Sequence, residues 1–318
     1  MKKMMLYSGF FALLMGWSTY SGAQQIDDAS EEFFEGCQEI ECTYTAIPSK
    51  FSNHNEEEIE AISMTRSSKS YGSCANKSHR EKSTPTLSLN WSGYATLTDR
   101  QDPKNYSVSQ VAGSWIVPTA HATSVDSYSA SWVGIDGFFT TSDTVEQIGT
   151  SQNWVDGQAE YFAWFEMYPQ GSYLINDFPV HPGDKISAQV KFSEKEENLF
   201  ILTIANKTRK VYAKVPKSYT VQPLAVRTSA EWIMEAPSSS TTEAILPLAD
   251  YKTIHFFDCE ATINGKKGSI NRKHWENAAI TMVTDILPAV IVSKPSKLHS
   301  QGFSFDVTRL NADQLGVE

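Results

Sequence analysis

The stretch SAEWIMEAP, residues 229–237, sets ionisable side chains inside an apolar run. Read as a β-strand it alternates faces, so Trp232 and Met234 share one side while Glu231, Ile233 and Glu235 share the other. A carboxylate beside Ile233 belongs either to the solvated side of an edge strand or to a general acid/base whose proton affinity is tuned by partial burial. Four more stretches are dense in Trp, Tyr, Gly and isolated carboxylates: LNWSGY (89–94), SASWVGIDGF (129–138), VEQIGT (145–150) and YFAWFEMYP (161–169). Such aromatics can fill a core. They can also wall a concave binding face, where flat rings give contact area and a few polar atoms fix orientation. Other chemistries find little support: there is no HExxH, no paired CxxC and no G-x-S-x-G, and the seven histidines are scattered without ligand spacing. No metal or cofactor is implied.

These residues must be positioned by β-structure. From residue 86 onward, Ile186, Ala188, Val190 and Phe192 alternate with polar neighbours, and the runs LFILTIA and TIHFFDCEATI suit buried strands. Turn signals at His181-Pro182-Gly183-Asp184 and Asn264-Gly265 separate them. No βαβ alternation appears. Many short antiparallel strands over residues 86–318 predict an all-β domain, a sandwich of two antiparallel sheets of jelly-roll or concanavalin-like type.

The ordered motifs resemble one family, the glutamic peptidases or eqolisins. The resemblance runs from Asn90 to Glu235 through N-W-x-G, Trp115-Ile116-Val117-Pro118, SWVGIDG, Q-x-G, AWFE-x-YP and AEWI-x-E, about half the chain. It implies an endopeptidase on a two-sheet sandwich, acting on polypeptides under acidic conditions through a Gln/Glu dyad. The matching residues are Gln147 and Glu231. Glu231 would take a proton from the attacking water and return it to the departing amine; Gln147, with two amide donors and one acceptor, would orient that water and stabilise the oxyanion. By the same correspondence Trp91, Trp132, Asp136, Glu166 and Tyr168 are expected around the cleft, the aromatics walling substrate subsites and the carboxylates holding the dyad. The chain departs from the family just after Q-x-G, where Thr150 and Ser151 stand in place of a frequent Asp.

The N-terminal region reads differently. Lys2 and Lys3 precede the apolar run MMLYSGFFALLMGW, and Ser21-Gly22-Ala23 supplies the small residues of a cleavage site, so residues 1–23 are expected to be a signal peptide. Secretion or periplasmic export follows, with no membrane association after its removal. Residues 24–60 carry 11 acidic and 1 basic side chains, residues 61–85 carry 5 basic and 1 acidic, and residues 86–318 hold 19 basic and 25 acidic. Nothing here resembles a nucleic-acid footprint. The acidic block suggests short helix or flexible leader rather than sheet, and residues 24–85 are expected to form an N-terminal prosegment that covers and inhibits the cleft, Arg66, Lys69, Lys77, Arg80 and Lys82 facing its carboxylates. In an exported protein the four cysteines, Cys37, Cys42, Cys74 and Cys259, can pair in three ways; a Cys37–Cys42 pair would leave Cys74–Cys259 as a tether.

Two other functions fit a concave aromatic sandwich. One is a non-catalytic module that binds sugar or peptide. The other is a retaining glycoside hydrolase using Glu166 and Glu231, whose carboxyls would then lie about 5–5.5 Å apart. Pepsin-like chemistry fits poorly, because Ile135-Asp136-Gly137 lacks a hydroxyl residue between Asp and Gly and has no second copy.

Overall fold

The computed structural model describes residues 34–47, 83–194, 196, 198–218, 224–239 and 242–310. The signal peptide, Cys74 and the five basic residues from Arg66 to Lys82 lie outside them. The regular secondary structure of the described residues is almost entirely strand. One sheet runs β1 (Gln38–Glu39), β12 (Val211–Ser218), β11 (Leu199–Asn206), β10 (Lys185–Phe192), β5 (Val108–Ile116) and β14 (Thr253–Ile263). The second runs β16 (Glu276–Val283), β4 (Trp91–Leu97), β13 (Ser229–Glu235), β6 (Ala130–Ile135), β7 (Val145–Val155), β8 (Gln158–Tyr168), β9 (Tyr173–Ile175) and β2 (Tyr44–Ala46). β17 (Ile291–Pro295) and β18 (Phe305–Arg309) link β16 to β14 along one side, and β15 (Lys266–Ser269) forms a hairpin with β14. Asn264 and Gly265 close that hairpin with φ of 50° and 69°, the left-handed pair that a tight antiparallel turn demands.

Strands β5, β10 and β11 pack face to face on β13, β6 and β7. The layer between them is apolar: Val111, Trp115, Ile186, Ala188, Val190, Leu202 and Ile204 meet Val133, Ile135, Ile148, Phe165, Trp232 and Met234. Burying each such side chain contributes about 1.5–3 kcal/mol. The even positions of β13 therefore belong to the core, where Trp232 donates its indole N–H to the Ala112 carbonyl at 2.8 Å. The odd positions, Glu231 among them, project from the other face of the same sheet.

Two pairings are parallel, β1 with β12 and β3 (Ser83–Ser88) with β16, in an otherwise antiparallel sandwich. β3 also spans position 86, so the expected boundary between prosegment and sheet domain falls inside a strand. In the acidic block, where charge suggests helix or leader, Gln38–Glu39 and Tyr44–Ala46 are strands. The reason is non-local: β12 and β9 each offer a row of unpaired backbone groups, and any extended segment can satisfy them whatever its charge. Cys37, Cys42 and Cys259 are free thiols, so neither a Cys37–Cys42 pair nor a tether through Cys259 is formed. Cys259 is fully buried under the sandwich, and burial pushes its thiol well above the ordinary range.

Candidate active site

Directly paired residues on adjacent strands project from the same face of a sheet. The register places Ala95 of β4, Glu231 of β13, Gly134 of β6, Gln147 of β7 and Glu166 of β8 in one transverse row. Glu231 and Gln147 flank a residue without a side chain. A Cβ at Gly134 would lie 3.2 Å from the Gln147 Cβ and 2.8 Å from the Trp132 ring, so only glycine leaves room for the two long polar side chains to approach each other. At the end of the row Gln147 Nε2 donates to Glu166 Oε2 at 2.9 Å, which fixes the amide's orientation.

β13 is a central strand buried on both faces, not the solvated edge that a strand with two glutamates suggests. Glu231 is fully buried, and among the described residues neither carboxylate oxygen has a well-formed hydrogen bond. Burial raises its pKa well above the ordinary carboxylate value; the Ser229 hydroxyl opposes the rise, while the charges of Asp136 and Glu146 add to it. Burial thus favours the protonated, neutral form of Glu231. The displaced water is replaced by side chains of its own face rather than by Trp232, which faces the core.

That face carries a second apolar cluster that includes Trp91, Trp132, Phe138, Val145, Trp164 and Ile233, with Tyr168 half-buried at its margin. Trp91 and Trp132 meet edge to face with ring centroids 5.0 Å apart. The three expected aromatics therefore lie on the same face of the sheet as the row. Tyr168 stands opposite Val145, two residues beyond Glu166 on the same side of β8.

Asp136 sits elsewhere in the arrangement. It follows β6 with φ of 71°, a conformation Asp tolerates, and accepts from the backbone N–H groups of Arg227 at 2.6 Å and Thr228 at 2.7 Å and from the Thr228 hydroxyl at 2.9 Å. Its carboxylate anchors the residues that lead into β13. Burial raises its pKa, and the donors from Thr228 and Arg227 oppose the rise. Where eqolisins often place an Asp, the Thr150 hydroxyl accepts the Trp115 indole N–H at 3.0 Å and bonds the Ser131 hydroxyl at 3.0 Å on the core side.

Several residues at the site carry no strong signal of their own in the sequence. Glu235 lies on Glu231's face, fully buried, and takes hydrogen bonds from Asn90 and Trp132; strand alternation alone could have marked it. Glu146 is buried on the opposite face, in the row of Ile135 and Met167. Ile47, from the acidic block, is buried in the aromatic cluster on the dyad's face of the sheet. An open groove of about 590 Å³ lined by Thr43 and residues 174–179 lies at the β2–β9 edge rather than over the dyad. Among the described residues no group of three or more His, Cys, Asp or Glu side chains is arranged to hold a metal.

Comparison with known proteins agrees with this geometry. The family model described as the Peptidase A4 family matches residues 89–297. Aspergillopepsin-2 of Aspergillus niger is 30% identical over 197 residues, covering 56% of this chain and 66% of the relative, just under two thirds of its length. Scytalidopepsin B of Scytalidium lignicola is 30% identical over 207 residues, covering 62% of this chain and 71% of the relative. The fold is shared with scytalido-glutamic peptidase in complex with a transition state analog inhibitor, at a TM-score of 0.57 and 24% identity over 70% of this chain and 98% of that one. The same enzyme with a peptide based transition state analog aligns at a TM-score of 0.55. With the family model spanning the aromatic face and the Gln147–Glu231 row alike, the chain belongs to the Peptidase A4 family, the eqolisin glutamic peptidases.

Proposed function

We propose that this protein is an exported endopeptidase that hydrolyses polypeptides at acidic pH with Glu231 as general base and acid and Gln147 as water-orienting and oxyanion donor. The observation that carries the reading is the transverse row, in which Glu231 and Gln147 share one face across the bare Gly134. Ionised Glu231 takes a proton from the water that attacks the peptide carbonyl, then delivers it to the leaving nitrogen. Gln147 is suited to the accompanying charge, because its amide carries two N–H donors and Glu166 orients it. Trp91, Trp132 and Tyr168 supply apolar walls for an extended peptide. Asp136 acts on the site through β13.

The glycosidase reading loses support from the same row. The backbones of Glu231 and Glu166 are three inter-strand steps apart, roughly 14 Å at about 4.8 Å each, and Glu166 is engaged by Gln147. The deciding experiment is digestion of a denatured protein mixture across pH 2–7 by wild type and by Glu231→Gln. Wild type is expected to generate new peptides and the variant none; equal cleavage would remove the dyad.

Residues 24–85 are read as an inhibitory prosegment, and the docking of residues 34–47 supports this. β2 pairs with the edge strand β9, Ile47 N–H bonds the Ser172 carbonyl at 3.2 Å, and Lys217 places its ammonium 4.1 Å from the centre of the Tyr44 ring. Ile47 then enters the aromatic cluster on the face that carries the buried dyad. Inhibition would be twofold: substrate is excluded, and burial, which favours the protonated form of Glu231, opposes its action as a base. An Asp at position 47 would be charged near neutral pH and costly to bury. Ile47→Asp is therefore expected to raise peptide turnover by the unprocessed chain at pH 6–7 at least tenfold, measured with a quenched fluorescent peptide. Unchanged latency would count against the cover.

A further inference from the structure

Glu235 is a buried carboxylate that the dyad chemistry does not use. It lies on the dyad face four residues along β13 from Glu231, about 13 Å away at the strand rise. Trp132 Nε1 donates to its Oε2 at 2.8 Å, and Asn90 Nδ2 donates to its Oε1 at 3.0 Å. Asn90 is itself tied back through Ser88, whose hydroxyl donates to Asn90 Oδ1 at 3.3 Å. The carboxylate thus grips the polar edge of Trp132 from a rigid central strand.

The other edge of the same indole lies over Gly134. Its Cζ3 lies 2.8 Å from where a Cβ of Gly134 would stand, so the six-membered ring covers the position that separates Glu231 from Gln147. Trp91 packs against the indole edge to face, which restricts sideways slippage. Two ring contacts and one buried hydrogen bond therefore determine where the floor of the site lies. Burial pushes the Glu235 carboxyl well above the ordinary carboxylate range, and the Trp132 donor opposes the rise; an amide in its place keeps an acceptor for Trp132 but sets an NH2 group against the Asn90 donor.

We propose that Glu235 is a positioning residue: by anchoring the Trp132 indole it holds that ring over Gly134 and so sets the space in which Glu231, Gln147 and the scissile carbonyl meet. The assignment rests on the Gln147/Glu231 reading. It makes Glu235 and Trp132 one functional unit, so their losses should overlap rather than multiply.

The test uses the full chain brought to acid until wild type is active, with Glu235→Gln, Trp132→Phe and the double variant. Kinetic constants on a quenched fluorescent peptide, tryptophan emission and thermal midpoint are measured for each. Each single variant is expected to lower kcat about tenfold with KM within about twofold of wild type, and the double variant to lose no more than about twentyfold. Glu235→Gln is also expected to red-shift the tryptophan emission as the indole loosens. Losses that multiply to about a hundredfold, or wild-type kcat in Trp132→Phe, would overturn the proposal. Where Glu235→Gln fails to fold, Trp132→Phe decides alone, because it removes the donor and keeps an aromatic ring. Full turnover by Glu231→Gln would instead remove the dyad itself, an outcome separate from either result in the Glu235 series.

Discussion

Gln147→Ala is expected to lower kcat by a factor of about 10² to 10³ or more while leaving a measurable but weaker fold. The rate loss follows from deleting a preorganised donor at the developing oxyanion, which typically carries about that factor. The stability loss follows from the bond between Gln147 Nε2 and Glu166. Residues read only as a linear motif suggest that deleting a neutral amide leaves the fold untouched. The row shows otherwise, because the amide is a donor to a fully buried carboxylate. Removing that donor costs about 1–3 kcal/mol, a fall in Tm of roughly 2–4 °C for each kcal/mol in a domain of this size. Glu166→Gln separates the two effects: its amide oxygen can still accept from Gln147, so turnover is expected to fall less than in Gln147→Ala. The check is kcat normalised to folded enzyme, with a thermal melt beside it. Gln147→Ala retaining more than a tenth of wild-type kcat would remove Gln147 from the mechanism.

Asp136→Ala is expected to cause the largest loss of stability at the site, about 3–5 kcal/mol and so a fall in Tm on the order of 10 °C. The carboxylate accepts two backbone N–H groups and a hydroxyl at 2.6–2.9 Å, and hydrogen bonds to a charged acceptor carry more than neutral ones. Alanine also tolerates the φ of 71° less well than Asp does. Activity is expected to fall with stability, because residues 227 and 228 lead directly into β13 and its Glu231. Asp136→Asn keeps the local conformation and part of the hydrogen bonding, and should lie between wild type and alanine. Differential scanning calorimetry checks the order; a shift below 2 °C in Asp136→Ala would show that the clamp is not stabilising.

Much of this molecule is local in origin and was legible from its sequence. Alternation in SAEWIMEAP places Glu231 and Glu235 on one face and Trp232 and Met234 on the other, and β13 has that pattern because side-chain direction in a strand depends only on residue parity. The all-β class follows likewise from period-two runs such as that of β10 and from turns such as Asn264-Gly265, where chain geometry allows few alternatives. The order of the motifs carried the family.

What parity cannot supply is the partner across the sheet. That Gly134 lies between Glu231 and Gln147, and that Glu166 closes the row, depends on strands brought together from positions 13 to 97 residues apart in the chain, in a register set by the whole two-sided core. The same holds for Asp136, whose motif SWVGIDG reads as cleft but whose carboxylate turns to residues 227 and 228. Ile47 is the extreme case. Its acidic surroundings argue for a solvated leader, yet the unpaired edge of β9 captures the neighbouring strand and delivers the side chain to the aromatic cluster. Residue types and their spacing determined which side chains could do the chemistry and which way each one points. Tertiary structure alone decided which of them meet and that the dyad is covered, because hydrogen-bonded edges and desolvation act between segments remote in the chain.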